Sequence, residues 1–192
     1  MLSLAAVMLA GTTSIAVATG IAVIWNRDPI AMVNSGRTLE EAFPGRFVLG
    51  VGVSHKESVD GRGGRYRAPI HKMREYLETM RQASTDAHPP GCQAPLVEGA
   101  LGPKMTAVAA ALADGVHPFL STPPHTATTR QILGSEPLVA VEQAVVLTKR
   151  AEEARSAARA NLGRHLTWFN HRRHLTRIGF TKRTSGPVAA IG

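Results

Sequence analysis

A single cysteine, Cys92, stands in the 192 residues. It cannot close an internal disulfide, so it fits a cytosolic protein and a buried or loop thiol rather than a disulfide scaffold. The eight histidines have no cysteine or carboxylate partners at ligand intervals, so no metal site is expected. No internal repeat is evident. Charge is missing altogether from the first 26 residues. That gap invites an export signal or anchor, but no Lys or Arg precedes the apolar run, as a signal would need. Gly11-Thr-Thr-Ser14 also breaks the run into two pieces, each too short for a hydrocarbon core about 30 Å thick. The expectation is therefore helix, turn, strand, without a membrane partner. The β-branched stretch Ile15 to Ile24 supplies the buried parallel strand.

Apolar residues make up 44% of the chain, enough for one domain with a real core. A formal charge of +8 leaves nucleic acid, a membrane surface and an anionic small molecule as partner classes. Along the chain, Asp28-Pro29 starts a helix that Pro44-Gly45 ends, with Asp28 as cap and Pro29 at the first helical position. A strand is expected from Phe47 to Val53, then a polar loop from Lys56 to Arg67. From about Pro69 a helix follows, with Ile70, Met73, Leu77 and Met80 on one face. After Pro89-Pro90-Gly91 comes a strand from Ala94 to Glu98, then a helix burying Met105, Val108, Ala109 and Leu112. Val116 to Leu120 reads as a short strand. Thr122-Pro123 caps a helix that stops at Leu133-Gly134, and Val139 to Leu147 reads as the last strand. A helical region from Lys149 to about Arg177 splits near Gly163. Such alternation with short connections predicts a parallel sheet covered by helices.

Two segments carry the chemistry. Arg46-Phe-Val-Leu-Gly-Val-Gly-Val-Ser-His55 and Val97-Glu-Gly-Ala-Leu-Gly-Pro-Lys-Met105 each read as a buried strand opening into a Gly-rich turn. The second turn feeds a helix beginning at Pro103. Free backbone N–H groups and the positive end of a helix dipole meet there, beside Lys104, which suits a phosphate. Gly50-Val-Gly-Val-Ser-His55 lacks the third glycine of a dinucleotide fingerprint. Asp114-Gly115 reads as a turn with the aspartate bonding local backbone, and His117-Pro118 lies near a strand mouth.

The wording of Ala18-Thr-Gly-Ile-Ala-Val-Ile-Trp25 with Arg27-Asp-Pro29, of Ala42 to His55, of Met73 to Leu77, and of Ala100-Leu-Gly-Pro-Lys-Met105 with Ala113-Asp-Gly115 resembles the luciferase-like monooxygenase family. Its nearest branch is similar to the coenzyme F420-dependent oxidoreductases. The resemblance implies an α/β fold, a partial (β/α)8 TIM barrel of about five parallel strands with covering helices. It also implies that F420, or alternatively FMN, binds at the strands' C-terminal ends and exchanges hydride with a small organic substrate. Cofactor contacts carried over are Thr19, Gly20 and Ile21, where the family often has a non-prolyl cis peptide; Gly50, Gly52 and Ser54; and Gly99, Leu101, Gly102, Pro103 and Lys104 around the phosphate. His55 is the candidate catalytic residue.

The resemblance runs from about Leu4 to Phe180, so a luciferase-like barrel domain is expected over 1–180 and a divergent tail over 181–192. Relative to the family's barrel, the first two strands and the last are expected to be missing. Open sheet edges would then offer themselves to a second copy. Two alternative functions stand beside this: a catalytically impaired, truncated homologue, or a nucleic-acid surface over 164–183, where the basic cluster Arg164-His165, His171-Arg-Arg-His174, Arg177 and Lys182-Arg183 has Trp168 and Phe169 between. The favoured reading is a solvated outer helix whose stripe Leu162, Leu166 and Phe169 is buried. A position beside the polyanionic tail of F420 stays open.

Overall fold

The computed structural model describes residues 1–84, 91 and 93–180. Cys92, most of the Pro89-Pro90-Gly91 loop, Lys182-Arg183 and the expected tail over 181–192 lie outside them. The chain runs α1 (Leu2–Ala10), β1 (Val17–Ala18), β2 (Ala22–Val23), a 3-10 turn (Ile24–Asn26), α2 (Pro29–Ala42), β3 (Phe47–Gly52) and α3 (Lys56–Asp60). It continues through α4 (Pro69–Gln82), β4 (Leu96–Glu98), α5 (Pro103–Leu112), β5 (Gly115–Val116), α6 (Pro123–Leu133), β6 (Leu138–Val139), α7 (Ala151–His165) and α8 (Phe169–Arg177).

All pairings are parallel, and the strands lie in chain order: β1 and β2 on β3, then β4, β5 and β6. A doubly wound sheet would reverse its order at a switch point. This one winds in a single direction, as a barrel wall does, and its helices follow in the same sequence, with α2 against α4, α4 against α5 and α5 against α6. Five strand positions leave the wall open, with β1 and β6 as its edges among the described residues. The first position is the interrupted strand β1–β2, split at Gly20-Ile21, where the peptide bond is cis.

Local chemistry explains the well-placed elements. The Asp28 carboxylate accepts from the Ile30 and Ala31 N–H groups at 2.9 and 3.0 Å, satisfying two orphan donors of α2. Thr122 caps α6, and Gly134 ends it with φ +84°, a conformation that favours glycine. The core lies between sheet and helices, with Phe47, Leu49 and Val51 of β3 facing Met32 of α2, Met73, Tyr76, Leu77 and Met80 of α4, and Val108 of α5. Gly36 lets α2 approach, since a Cβ there would stand 3.1 Å from Leu49 Cδ2. Buried Arg37 donates to the Ala83 and Ser84 carbonyls, which closes the end of α4.

Several expectations are corrected. Lys56 to Arg67 is not all loop, because α3 forms within it. Ile70 leaves the α4 core face and is 38% exposed; Tyr76 takes its place inside, donating to the Arg27 carbonyl at 2.8 Å. The Val139–Leu147 strand shrinks to Leu138–Val139 plus a bridge from Phe119 to Glu142. Past that bridge no described strand pairs with the segment, and Val145 is 85% exposed. Val116–Leu120 likewise keeps only Gly115–Val116 as strand. Asp114 bonds no local backbone; its carboxylate accepts from Leu96 N–H at 2.8 Å and ties β5 to β4. The break in the last helical region falls at Leu166–Trp168 rather than at Gly163, and Phe169 is 54% exposed. No residue of α7 is buried, so the expected apolar stripe does not form. Among the described residues, no helix is long and apolar enough to cross a membrane.

Candidate active site

Parallel strands deliver their C-terminal ends to one side of the sheet, and there the chain has a cleft of about 630 Å³. That volume lies within the range of roughly 300–1,000 Å³ typical of small-molecule sites. Its floor comes from the turns after β1, β3, β4 and β5. Gly20 and Ile21 line it, as do Gly52, Ser54 and His55. From the third turn come Gly99, Leu101, Gly102, Pro103 and Lys104, and from the fourth His117 and Phe119. Ten of the twelve residues expected at the site are thus brought together.

Thr19 and Gly50 are the two that do not line it. Thr19 is buried, and its hydroxyl donates to Gly50 O at 2.7 Å and accepts from Gly50 N–H at 2.8 Å. Their place is inside the sheet, clamping the first strand to β3. The other glycines make room. A Cβ on Gly52 would come within 2.6 Å of Ile21 Cδ1, and one on Gly99 within 3.3 Å of Ile21 Cγ2, so the Ile21 side chain rests across two glycine strand ends. Gly20 in turn leaves space for His117, whose Nε2 would lie 3.2 Å from a Cβ there. His117 Nδ1 lies 2.7 Å from the Ala140 carbonyl, and its Nε2 faces Glu142 at 3.4 Å.

The third turn opens α5. Met105 and Thr106 N–H groups bond the Gly102 carbonyl. Among the described residues, the N–H groups of Leu101, Gly102 and Lys104 have no hydrogen-bond partner, and Pro103 has no N–H to offer. Three free donors, a helix N-terminus and a lysine therefore converge at one end of the cleft.

Sequence reasoning missed the roof. Trp168 and α8 close over the cleft, and α8 is fixed there by polar contacts with three strand-end turns. Asn170 donates to Ser54 O at 3.1 Å and to Tyr66 Oη at 3.2 Å. Fully buried His174 places Nδ1 3.0 Å from Leu101 O and Nε2 3.2 Å from Leu120 O. Ser54 and Leu120 both hold left-handed backbones, φ +59° and +53°, which turn their carbonyls toward the helix. The expected solvated helix is thus a cleft wall: His171 and His174 are buried, and Arg173 and Arg177 line the cavity. A period of four in Asn170, His174 and Ile178 was the available signal, hidden by the surrounding charge.

His55 sits in an aromatic setting built by that roof. Its ring stacks on Trp168 at 4.6 Å and meets His171 edge-on at 4.6 Å. Burial lowers the pKa of His55, with Glu57 opposing, and pushes that of His171 down to about 4, helped by the neighbouring His55 and His165. Burial, then His125, also lowers His174, although its two carbonyl neighbours favour a second proton. Neutral rings therefore prevail on this side at pH 7, and a neutral His174 can donate to only one of its two carbonyl neighbours. A further unforeseen group is Glu98 in β4: wholly buried, with neither oxygen bonded among the described residues, it has a pKa raised by burial to about 8. It does not line the cleft. Among the described residues no cluster of three or more ligating side chains is placed to hold a metal.

Comparison with known proteins decides the lineage. The family model described as luciferase-like monooxygenase matches residues 1–186. The chain belongs to the luciferase-like monooxygenase family. A Mycobacterium tuberculosis protein named "Putative coenzyme F420-dependent oxidoreductase" is 29% identical over 143 residues, covering 58% of this chain and 41% of that one. The 5,10-methylenetetrahydromethanopterin reductase of Archaeoglobus fulgidus is 28% identical over 131 residues, covering 59% and 39%. This luciferase-like chain thus spans about two-fifths of either relative's length. Among solved structures, an F420-dependent secondary alcohol dehydrogenase in complex with an F420–acetone adduct superposes with a TM-score of 0.68 at 18% identity, over 82% of this chain and 58% of that one. At that identity the likeness establishes the fold, a luciferase-like (β/α) barrel wall.

Proposed function

We propose that this luciferase-like chain binds coenzyme F420, with FMN as the alternative, in the strand-end cleft, and serves hydride transfer between that cofactor and a small organic molecule. The observation that carries the reading is the two-ended cleft. Ile21, lying across Gly52 and Gly99, offers an apolar wall for a flat ring, while Leu101, Gly102 and Lys104 offer N–H groups and charge for a phosphate. The volume suits a flavin-type group, and the relatives' names point to F420. Bound F420 supplies a deazaflavin ring that takes or gives a hydride.

The chain's own residues orient, shield and buffer. Trp168 and α8 exclude water from one side of the cleft. His55, held between Trp168 and His171, is the group placed to pass a proton to or from the substrate, since burial keeps it neutral and receptive at pH 7. His117 faces the same cleft, with Nδ1 directed at the Ala140 carbonyl and Nε2 at the Glu142 carboxylate. The reading extends to a cytoplasmic setting, and to association of copies through the open edges and the apolar face of α1, where Leu4 and Val7 are 61% and 68% exposed.

Titration of the purified chain with F420, and separately with FMN, followed by cofactor fluorescence, tests this. Saturable binding is expected for F420, weakened in Gly102→Val, whose added side chain would press on the Arg177 guanidinium beside the free-amide turn. A folded chain that binds neither cofactor refutes the reading; salt-sensitive binding of nucleic acid in its place would favour the basic surface.

A further inference from the structure

The cleft carries more positive charge than one phosphate requires. Arg173 and Arg177 stand four residues apart on α8, so they share a face, and both line the cavity with Lys104 of α5. Arg177 Nη1 donates to the Leu101 carbonyl at 3.0 Å. Its guanidinium lies 3.0 to 3.3 Å from where a Gly102 Cβ would be, directly over the first turn of α5. That is the positive end of a ten-residue helix, where a cation is disfavoured. Arg177 is held below the ordinary arginine range by partial burial and by neighbouring Arg173.

Among the described residues, no carboxylate pairs with Lys104, Arg173 or Arg177. The one acid on the cavity wall, Glu142, is beside His117. Nor can the helix drift away to separate the charges, because Asn170 and buried His174 bind it to the turns. Buried His171, with an Nδ1 that has no partner among the described residues, lines the same wall. Two cations without a carboxylate partner at a helix's positive end, with Arg173 beside them on the cavity wall, form an arrangement that an anion of more than one charge relieves.

We propose that Arg173 and Arg177 form an outer anion subsite, next to the Gly102–Lys104 turn, that takes a second negatively charged group of the bound molecule. The cleft is thereby selective for a polyanionic ligand, a phosphodiester extended by carboxylates, over a neutral ring system. This rests on the cofactor reading above and specifies which form of the cofactor the site prefers.

Equilibrium binding of two probes tests it: F420 with its phosphate and glutamates, and the same deazaflavin ribitol lacking both. Wild type, Arg173→Ala and Arg177→Ala are compared, with Arg159→Ala, half-buried on α7 and outside the cleft, as the control for net charge. Wild type is expected to prefer F420. Each cleft variant should lose about tenfold in F420 affinity, the scale of one charge-assisted hydrogen bond, and almost nothing for the bare ribitol. The salt dependence of F420 binding should also shrink in both, with Arg159→Ala unchanged. Equal affinity for the two probes, or equal losses in cleft and control variants, overturns the subsite and leaves the cofactor reading standing. Binding of neither probe overturns both.

Discussion

Adding one methyl group at Gly50 should detach the first strand. A Cβ there overlaps the Thr19 carbonyl oxygen and comes within 3.0 Å of its carbon, and both are backbone atoms, so no rotamer change relieves the clash. The strand bearing Thr19 must move off β3. That move breaks both hydrogen bonds between the Thr19 hydroxyl and Gly50, at 2.7 and 2.8 Å, within a buried site. Two such bonds contribute about 2–3 kcal/mol together, and forcing a methyl into a packed interior costs about 1–3 kcal/mol more. The sum, roughly 3–6 kcal/mol, is a large share of the 5–15 kcal/mol that typically holds a domain folded. Gly163 supplies the internal control. It is helical and exposed, with nothing within 4 Å of a new Cβ. Gly163→Ala should therefore stabilise by about 0.5–1 kcal/mol. In urea, with a slope of about 2 kcal/mol per molar, the Gly50→Ala midpoint should fall by roughly 1.5–3 M and that of Gly163→Ala should rise slightly. A Gly50→Ala midpoint within about 0.3 M of wild type would refute the clamp.

Stability should peak near pH 6.5. The lowered histidines, His171 foremost, bind fewer protons folded than unfolded, so stability is lost as pH falls from about 6.5 toward 4. Glu98 acts oppositely: raised to about 8, it contributes stability at low pH that is lost as pH climbs through 8. Urea melts between pH 6.5 and 8 should show a decline of up to about 1.4 kcal/mol per pH unit, absent in Glu98→Gln. Asp114→Ala should cost about 1–2 kcal/mol by leaving the Leu96 N–H unpaired, and amide exchange at Leu96 should report it. Light scattering should find wild-type copies associating with concentration, and Val7→Lys, on the exposed face of α1, should shift the balance to monomer.

Legibility followed the range of the interactions. Asp28-Pro29 and Thr122-Pro123 act within one turn of their helices, so the starts of α2 and α6 could be read directly. The Gly-rich ends of β3 and β4 were legible for the same reason, and with them ten of the cleft residues. Thr19 and Gly50 were placed at the right strand ends, but which way each faced depended on a cross-strand contact 31 residues apart. The Asp114 carboxylate looked like a local turn and instead reached Leu96. The apolar run to Leu147 suggested a strand, yet pairing needs a neighbour, and none is present beyond the Phe119–Glu142 bridge among the described residues. The roof was hardest, since a helix dense in Arg and His has the composition of a solvated surface. Only the carbonyls of Ser54, Leu101 and Leu120, distant in sequence, reveal that His174, Asn170 and Arg177 turn inward.

The central claim is that the strand-end cleft holds the cofactor, and a crystal structure of the chain grown with F420 tests it most directly. The account predicts the deazaflavin ring against Ile21 and within contact of His55, with its phosphate on the N–H groups of Leu101, Gly102 and Lys104. A ring bound elsewhere on the chain, with this cleft holding only water, would contradict it.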